Sequence, residues 1–449
     1  MPSALGSAAR RSVCGRRGAG RQSEERRLGA AATVSDAQVT SARSRVPTAR
    51  ILMLTERVPG HDTGFGVRIT NVIEGLRAIG DLHVCLIDSS ERGATLRPSE
   101  LYRTSTVRAR EIGRWAWLGD LVRLRPPRMR YRATRRLRRE IVEAVGGSDW
   151  DLVVCCRCRV HLVSDGLFDA PRIVDFDDLN DALLESRIHD RTALRGRLRT
   201  FPRNVHDRVH VLLWRRLQRS IAGRVDRVGV CSQYDADKVA GDNVAVIPNG
   251  YPDPGTPAAP STASGNRMLF VGPLTYEPNR LAVEWFVQHV LPAVRAAVSD
   301  AEFVVVGARD GATVRGADAP GVTLTGYVPD ITPHYRSASI AVVPLHSGGG
   351  TRIKVIESLA RRVPMVSTTF GCAGHDLTDG SEAILADSAD DFAKACIELL
   401  GNPERRERLA TAGRRLFEQH LTSSATSRAV GELAVAVLDP RFDRRAIAR

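Results

Sequence analysis

Short apolar runs alternate along this chain with segments whose apolar residues recur at the spacing of an amphipathic helix. After the polar loop Arg57–Gly66, the first helical pattern places four apolar residues on one face: Val72, Ile73, Leu76 and Ile79. The apolar runs of the N-terminal half, each typical of a buried strand, are Ile51–Glu56, His83–Asp88, Asp151–Cys156, Arg172–Asp175 and Arg227–Cys231.

The alternation is interrupted once and then resumes. Residues 252–266 are rich in Pro, Gly and Ser, a composition typical of a linker or an exposed crossover. Beyond it, helices are predicted at Arg280–Val298 and Thr351–Arg362. The predicted strands there are Met268–Gly272, Glu302–Gly307, Val322–Gly326, Ser339–Leu345 and Pro364–Ser367. Repeated βα units with nearly continuous apolar strands predict parallel sheets covered on both faces, hence an α/β protein with two doubly wound domains.

This pattern predicts five segments. We expect a disordered leader (1–48), an N-terminal Rossmann-like domain (49–250), a linker (251–266), a C-terminal Rossmann-like domain (267–425), and a C-terminal helix or tail (426–449) that could pack back on the N-terminal domain. The leader has no apolar core of the kind that a secretory signal requires. No run approaches the roughly eighteen apolar residues of a membrane-spanning helix.

Composition is that of a soluble globular protein, with 43% hydrophobic and 26% charged residues among 449. The eight cysteines show no disulfide-framework spacing, which favours a cytoplasmic protein. Cys155, Cys156 and Cys158 form a cluster, but no second Cys or His pair follows at ligand spacing. We therefore expect buried strand cysteines and no metal site.

The net charge of +14 is concentrated in residues 103–140 and 191–219. No nucleic-acid-binding motif or aromatic interleaving accompanies it, so nucleic acid is not the expected partner. Two interpretations remain open. One is peripheral docking on anionic lipid, aided by Trp115, Trp117 and Tyr131; the other is a solvated charge run.

Residues 348–357 (GGGTRIKVIE) are the strongest candidate for chemistry. They follow a predicted strand and begin a helix, whose unpaired amides and positive dipole end favour phosphate. Arg352 and Lys354 add positive charge, and the chain has only two other lysines, Lys238 and Lys394. Glu357 can accept hydrogen bonds from a vicinal diol. A nucleoside-diphosphate sugar is the predicted ligand, with contacts from Gly348, Gly349, Gly350 and Thr351; the alternative is an i,i+3 pair of Lys354 with Glu357 on a solvated face.

Several ordered motifs resemble the family 4 retaining glycosyltransferases of the GT-B fold. The residues that carry the resemblance are Met268–Asn279 (MLFVGPLTYEPN), Val246–Tyr251 (VIPNGY) and 348–371, in the Gly-Gly-Gly-Thr-Arg variant. The resemblance implies two Rossmann-like domains that face each other across a cleft. It also implies a retaining hexosyltransferase without a cofactor, whose sugar nucleotide is held mainly by the C-terminal domain, including Gly272. The acceptor, a glycan, a lipid-linked saccharide or a small molecule, would lie against the N-terminal domain. Such enzymes serve polysaccharide or glycoconjugate biosynthesis.

The resemblance assigns some residues and leaves others open. Glu357 matches the family's ribose-holding Glu, whereas the second Glu, eight positions earlier, is Gly349 in this chain. The Arg that grips the diphosphate is replaced by Pro273, and Arg280 stands near the position of the accompanying Lys. We therefore hypothesise that Arg352 and Lys354 neutralise the phosphates.

Candidates in the N-terminal half are weaker. Gly64-Phe65-Gly66 resembles the family's glycine loop, which approaches the donor from the opposite wall, although a plain turn fits equally well. In Asp-Phe-Asp-Asp at 175–178, Asp177 or Asp178 could contact the sugar or the acceptor, or could cap the next helix. His161 is a second acid/base candidate, with a structural histidine as its alternative.

The chemistry expected from these residues is electrostatic stabilisation of the leaving nucleoside diphosphate without a metal. Because no nucleophile is evident, a front-side mechanism is the default hypothesis. The competing functions are an NDP-sugar epimerase or hydrolase on the same scaffold, a nicotinamide-dependent oxidoreductase, and a catalytically idle nucleotide-binding protein. The loop Arg57–Gly66 lacks the Gly-x-Gly-x-x-Gly spacing that the oxidoreductase requires.

Overall fold

The computed structural model describes residues 49–60, 63–90, 94–96, 98–110, 133–177, 179–195, 197–255, 265–349 and 352–439. Several predictions lie outside these residues. They concern the leader (1–48), linker residues 256–264 and tail residues 440–449. The individual residues are Trp115, Trp117, Tyr131, Asp178, Gly350 and Thr351.

The N-terminal half forms a parallel sheet of seven strands in the order β3-β2-β1-β4-β5-β6-β7. The order doubles back at β1, which lies between β2 and β4, as in a doubly wound sheet. Its strands are β1 (Ala49–Thr55), β2 (Gly80–Asp88), β3 (Arg103–Arg108), β4 (Leu152–Cys156), β5 (Arg172–Asp175), β6 (Arg227–Val230) and β7 (Val244–Val246). The helices between them are α1 (Gly64–Arg77), α2 (Arg135–Ala144), α3 (Cys158–Ser164), α4 (Asn180–Arg195), α5 (Arg197–Ala222) and α6 (Gln233–Val239).

The C-terminal half repeats the arrangement with six parallel strands in the order β10-β9-β8-β11-β12-β13. The strands are β8 (Arg267–Val271), β9 (Glu302–Val306), β10 (Val322–Gly326), β11 (Ile340–Val343), β12 (Met365–Ser367) and β13 (Ile384–Leu385). The helices are α7 (Glu277–Trp285), α8 (Leu291–Ala297), α9 (Thr332–Ser337), α10 (Ile353–Ala360), α11 (Ala389–Gly401), α12 (Pro403–His420) and α13 (Ser423–Leu438). The predicted fold class, two doubly wound α/β domains, is confirmed, and both sheets belong to one compact unit of the chain.

The elements differ from the predictions where local chemistry competes with the apolar pattern. The helix predicted at Arg280–Val298 is two α-helices joined by a π-helical turn, Phe286–Val290. Pro292 follows that turn and has no backbone N–H to continue an α-helical ladder. The edge strand β3 was not predicted, because its sequence Arg-Thr-Ser-Thr-Val-Arg is polar and only Val107 is buried.

The last helix connects the two halves. Ser427 Oγ of α13 donates to Asn71 O of α1 at 2.9 Å, and Gly75 of α1 lies against Val430. A Cβ atom at Gly75 would come within 2.4 Å of Ser427 O, so the two helices can approach this closely only because position 75 lacks a side chain. Among the described helices, none is long and apolar enough to cross a membrane.

Candidate functional site

A cavity of about 460 Å³ lies between the carboxyl-terminal ends of the two sheets. Ligand sites of doubly wound sheets occur at this end of the strands. Eight of the predicted site residues line it: Gly64, Asp177, Gly272, Gly348, Gly349, Arg352, Lys354 and Glu357. The structure therefore brings residues from four separate segments of the chain to one cleft, which we call the first pocket.

Two helix N-termini face each other across the first pocket. From the N-terminal half, α1 presents Thr63 and Gly64, and Thr63 Oγ1 caps the amide of Gly66 at 3.1 Å. From the C-terminal half, α10 begins after Arg352 without a side-chain cap. Each end carries the positive pole of a helix dipole, so the pocket favours an anion from both walls.

Lys354 adds a third positive group at the same place. Its Nζ donates to Asn279 Oδ1 at 2.6 Å and lies 4.7 Å from the centre of the Phe270 ring. Burial lowers the pKa of Lys354 to about 7, with Glu357 opposing and Arg352 reinforcing that shift. A bound anion would therefore stabilise the charged form of a lysine that is half-neutral without it.

Gly272 makes this arrangement sterically feasible. A Cβ atom at position 272 would lie 2.7 Å from Asn279 Nδ2 and 3.2 Å from Lys354 Nζ. Asn279 also donates to Pro273 O at 2.9 Å, which fixes the loop after β8. The absent side chain thus leaves room for Asn279 and Lys354 beside the strand end.

Glu357 lies at the base of the pocket in a network of hydroxyl groups. Tyr335 Oη donates to Glu357 Oε2 at 3.3 Å, and Arg361 donates to Tyr251 Oη at 3.3 Å. Burial raises the pKa of Glu357, while Arg361 and the hydroxyls of Tyr251 and Tyr335 counteract that shift. Oriented in this way, the carboxylate can accept hydrogen bonds from a ligand's hydroxyl groups.

Arg352 lies at a second wall. Its guanidinium is stacked 4.3 Å from the centre of the Phe370 ring, and Nη1 donates to Ala373 O at 3.3 Å. This charge also lowers the pKa of the buried His375 side chain, to about 4, although desolvation is the larger cause. Arg352 is therefore held towards the loop after β12, whereas Lys354 lies beside the loop after β8.

The described part of the glycine loop is hydrogen-bonded to its surroundings. The amide of Gly348 donates to Ser186 Oγ at 3.1 Å, and the amide of Gly349 donates to Tyr276 Oη at 3.3 Å. The sequence-based hypothesis gave both amides to phosphate. In this structure side chains accept from them, so a phosphate at Gly349 would have to displace the Tyr276 hydroxyl.

The two glycines of the N-terminal loop have different surroundings. Gly64 lines the pocket opposite Ile353, and a Cβ atom there would lie 2.7 Å from Ile353 Cγ1. Gly66 is not among the described lining residues. A Cβ atom at Gly66 would lie 2.9 Å from Gly60 O, within the loop itself. Gly64 thus permits contact between the two halves, and Gly66 shapes the loop itself.

Asp177 reaches the pocket from a left-handed backbone conformation (φ 55°) and is held by arginine. Arg157 Nη2 lies 3.1 Å from Asp177 Oδ2, and the Arg157 guanidinium covers the Phe65 ring at 3.9 Å. Arg157 itself has φ 85°, a region that costs a non-glycine residue about 1–3 kcal/mol. Two strained residues that bind each other at a cleft are a common sign of a functional loop.

A buried ion pair supports this wall from beneath. Arg68 of α1 bonds to both carboxylate oxygens of Asp175, at 2.7 and 2.6 Å, and to Asn249 Oδ1 at 2.9 Å. Its side chain is fully buried. Because Asn249 and Asp177 line the pocket, Arg68 connects the strand end, the crossover and the pocket wall.

Two candidates lie elsewhere. His161 is buried on α3 with Nδ1 3.5 Å from Arg172 Nη1, and burial followed by the Arg172 charge lowers its pKa to about 4. It is absent from the described lining of the first pocket, which agrees with the structural alternative. Arg280 is paired with Glu284 at 2.8 Å, away from the lining.

The cysteines of the cluster are buried, as predicted, but only Cys155 and Cys156 lie in a strand, whereas Cys158 begins α3. Among the residues that the structure describes, no group of three His, Cys, Asp or Glu side chains is placed to hold a metal ion.

Several lining residues escaped the sequence analysis. Asn279 and Tyr276 belong to a motif that carried the family resemblance, but their side-chain partners could not be read from spacing. Ser186, which contacts the glycine loop, occurs in no motif at all. The contact of Ser186 with Gly348 depends on how the two halves of the chain are placed, whereas Tyr276 and Gly349 meet within the C-terminal half.

Comparison with known proteins bears on the same region. Residues 265–402 match the family described as Glycosyl transferases group 1. The match covers 138 of the 449 residues, all in the C-terminal half. The predicted resemblance is thereby confirmed, and the matched segment contains β8 to β13 and the described residues from Gly272 to Glu357 that line the pocket. The coarse enzyme class that the resemblance implied, a glycosyltransferase, is supported.

Comparison with individual proteins shows a similarity that reaches beyond this segment to both sheets of the fold. A phosphatidyl-myo-inositol mannosyltransferase from Mycobacterium leprae (strain TN) is 27% identical over 204 residues, which are 43% of this chain and 54% of the relative. The match thus spans about half of the relative's length. Sucrose-phosphate synthase from Thermosynechococcus elongatus superposes with a TM-score of 0.62 at 17% identity, covering 86% of this chain and 98% of that one. Anabaena HepE in complex with UDP-glucose superposes with a TM-score of 0.57 at 12% identity, covering 85% and 98%. The GT-B fold is confirmed.

Proposed function

We propose that this protein is a retaining glycosyltransferase that moves a hexosyl group from a nucleoside-diphosphate sugar to a glycan, lipid-linked or small-molecule acceptor. The observation that carries the proposal is the convergence of two helix N-termini, Lys354 and Glu357 on one pocket. An anionic diphosphate and a vicinal diol in one ligand are features of a nucleoside diphosphate. The mannosyltransferase relative and the UDP-glucose complex of HepE support the same class of substrate.

In this proposal the two walls divide the donor between them. Glu357, oriented by Tyr335, accepts hydrogen bonds from the ribose hydroxyls. The diphosphate lies between the N-termini of α1 and α10 and draws the Lys354 ammonium towards it. Gly64 and Gly272 keep the backbone close to the donor because neither carries a side chain.

Rate acceleration then comes from fixed positive charge. Cleavage of the bond between the anomeric carbon and the phosphate oxygen leaves negative charge on the diphosphate. Preorganised dipoles and cations stabilise that charge without reorganising during the reaction. We propose that Lys354 and Arg352 supply this stabilisation together with the helix ends, and that no metal ion or other cofactor is required. Holding donor and acceptor in one cleft adds the proximity term.

Retention is proposed through a front-side mechanism, in which the leaving phosphate assists deprotonation of the acceptor hydroxyl. Among the described residues of the N-terminal half that line the first pocket, Asp177 carries the carboxylate. Its oxygens are 3.1 Å from Arg157 and 3.8 Å from Arg68, so its charge is engaged with arginine. We propose that it contacts the sugar or the acceptor. Proton NMR of the product would show the retained anomeric configuration, and an inverted product would contradict the mechanism.

The setting of the reaction is part of the same proposal. We propose a cytoplasmic enzyme that binds the surface of an anionic membrane peripherally through its Arg-rich N-terminal half. Sedimentation with vesicles that contain anionic lipid, and release by high salt, tests this attachment. Binding that persists in high salt, or equal binding to neutral vesicles, would contradict an electrostatic contact.

A thermal-shift screen of the purified protein tests the proposed donor class. The ligands are UDP, GDP, dTDP and ADP with their common sugar conjugates, each with and without EDTA. A ligand that binds the native state raises the melting temperature by mass action. We expect one nucleotide to stabilise the wild type equally with and without EDTA, and Glu357→Ala to abolish the shift.

Other outcomes identify the competing functions. Conversion of the sugar nucleotide without any acceptor indicates an epimerase or a hydrolase. A thermal shift without turnover, against a panel of acceptors, indicates an idle nucleotide-binding protein. No shift with any nucleotide rejects the proposed donor.

A further inference from the structure

A second cavity of about 310 Å³ adjoins the first pocket and lies behind the glycine loop. Gly348, Gly349 and Arg352 line both cavities, so the loop forms a shared wall. The opposite walls come from α4 and α6 of the N-terminal half, through Ser186 and Tyr234. We call this cavity the second pocket. Among the described residues, the three shared ones are the predicted donor contacts that belong to it.

The charges of the second pocket compensate each other. Of its described lining residues, Lys238 and Arg352 are cationic and Glu185 and Asp235 are anionic. Lys238 Nζ lies 3.7 Å from Glu185 Oε2 and 4.3 Å from the centre of the Tyr234 ring, while Arg352 is held by Phe370 and Ala373. A phosphate or carboxylate ligand would have to compete with these existing contacts. The balance favours a neutral ligand.

The remaining lining combines an aromatic ring with hydrogen-bonding groups. Tyr234 is 57% exposed, although it lies in the wall of a cavity. Ser186 and Ser232 already bond to Gly348 and Asp235, so the half-exposed carboxylate of Glu185 is the hydrogen-bonding group near it. A flat apolar surface beside a hydrogen-bond acceptor suits a sugar ring, which has apolar C–H faces and polar hydroxyl edges. The volume lies at the lower end for small-molecule sites, so one or two sugar units fit better than a long lipid chain.

We infer that the second pocket binds a neutral sugar unit of the acceptor, with Tyr234 as its stacking surface. The role as acceptor rests on the proposed function, because it places the acceptor beside the donor across Gly348 and Gly349. The diphosphate belongs to the first pocket, where the helix N-termini and Lys354 lie. The anchoring part of the acceptor is therefore a saccharide and not a phosphorylated headgroup.

Direct binding tests the inference without turnover. Saturation-transfer NMR is recorded with a panel of methyl glycosides of mannose, glucose, galactose and N-acetylglucosamine and their common disaccharides. Glycerol 1-phosphate and myo-inositol 1-phosphate serve as anionic probes. The proteins are the wild type, Tyr234→Ala, Tyr234→Phe, and the control Tyr327→Ala, which removes a tyrosine that is 69% exposed and outside both cavity linings.

We expect at least one neutral glycoside to bind the wild type. Tyr234→Ala should weaken it on the order of tenfold, as expected for loss of one aromatic contact. Tyr234→Phe and Tyr327→Ala should bind within about twofold of the wild type, a difference below 1 kcal/mol. Absence of binding across the neutral panel, binding that Tyr234→Ala leaves unchanged, or a preference for the anionic probes that depends on Tyr234 would each overturn the inference.

The nucleotide screen keeps this result separate from the proposed function. Tyr234 is not a lining residue of the first pocket, so Tyr234→Ala should keep the wild-type thermal shift with the nucleotide. If the protein binds glycosides through Tyr234 but binds no nucleotide, the sugar site is supported and the proposed transferase function is contradicted. If the protein binds nucleotide and transfers sugar without any contribution from Tyr234, the transferase function is supported and the inference about the second pocket is contradicted.

Discussion

Ser186 Oγ lies 3.1 Å from the amide nitrogen and 3.0 Å from the carbonyl oxygen of Gly348. The serine belongs to α4 of the N-terminal half, and the glycine to the loop before α10 of the C-terminal half. A single buried hydroxyl thus satisfies both backbone groups of a glycine from the opposite side of the cleft. This contact fixes the loop that separates the two pockets.

Ser186→Ala should weaken nucleotide binding by about two- to twelvefold, because a hydrogen bond contributes roughly 0.5–1.5 kcal/mol and the Gly348 amide would lose its acceptor. Isothermal titration with the nucleotide found in the screen measures the change. Ser337→Ala is a matched control, since its hydroxyl bonds only locally to His334 O within α9. Equal affinity of Ser186→Ala and wild type would show that the contact does not position the loop.

Affinity for the sugar nucleotide should fall as the pH rises above 7. The pKa of Lys354 is about 7 without ligand, and a bound diphosphate favours the charged ammonium and raises that pKa. Binding therefore takes up a proton above pH 7, so affinity is highest below this value and decreases by up to about tenfold per pH unit above it.

Titration calorimetry between pH 6 and 9, in buffers with different ionisation enthalpies, measures this proton uptake. A sugar conjugate is preferred to the free nucleotide because its diphosphate has no terminal group that titrates in this range. Lys354→Arg should flatten the profile, since arginine stays charged throughout. A wild-type affinity that is constant between pH 6 and 9 would exclude Lys354 as the phosphate contact.

Glu357→Gln should remove discrimination between a ribonucleotide and its 2′-deoxy analogue. A hydrogen bond to a charged acceptor contributes roughly 1.5–3 kcal/mol, so the wild type should prefer the ribonucleotide by about tenfold or more. Competition of the two nucleotides against a fluorescent analogue measures the ratio. Glu398→Gln changes an exposed glutamate and should keep the wild-type ratio. A variant that discriminates as well as the wild type would place the ribose elsewhere.

Arg68→Met should reduce the free energy of unfolding by about 3–5 kcal/mol, because it leaves the buried Asp175 carboxylate without its partner. Denaturant titration followed by circular dichroism measures the loss. The control is Arg103→Met, which breaks an exposed pair with Asp81 and should cost at most about 1 kcal/mol. Similar losses in both variants would mean that Arg68 does not support the pocket wall energetically.

Gly64→Ala should weaken nucleotide binding although alanine is the better helix former. The new methyl group would lie 2.7 Å from Ile353 Cγ1 and push the two halves apart. Ile353→Ala removes the opposing atoms, so the double variant should recover part of the lost affinity. Recovery is the distinguishing result, since a simple loss of folding at Gly64 would not be rescued from the other side of the cleft.

The central elements were predictable because they are determined locally. A fully buried parallel strand such as Leu152–Cys156 is apolar at every position, and the glycine loop before α10 has an unusual composition. Both features can be recognised in the sequence without any knowledge of tertiary contacts. The same locality explains why Arg103–Arg108 escaped prediction: an edge strand with one buried residue has almost no apolar pattern.

The sequence by itself determined the two doubly wound halves, the family resemblance, and eight of the nineteen described residues that line the first pocket. Only the tertiary structure decided their partners. Spacing along the chain cannot show that Tyr276 and Ser186 accept from the glycine loop, that Arg352 turns towards Phe370, or that His161 is buried beside Arg172. The Ser186 contact joins opposite sides of the cleft, and the other three join different elements within one half. They are fixed by how those elements pack and by how one half packs on the other. The second pocket is likewise a property of that packing alone.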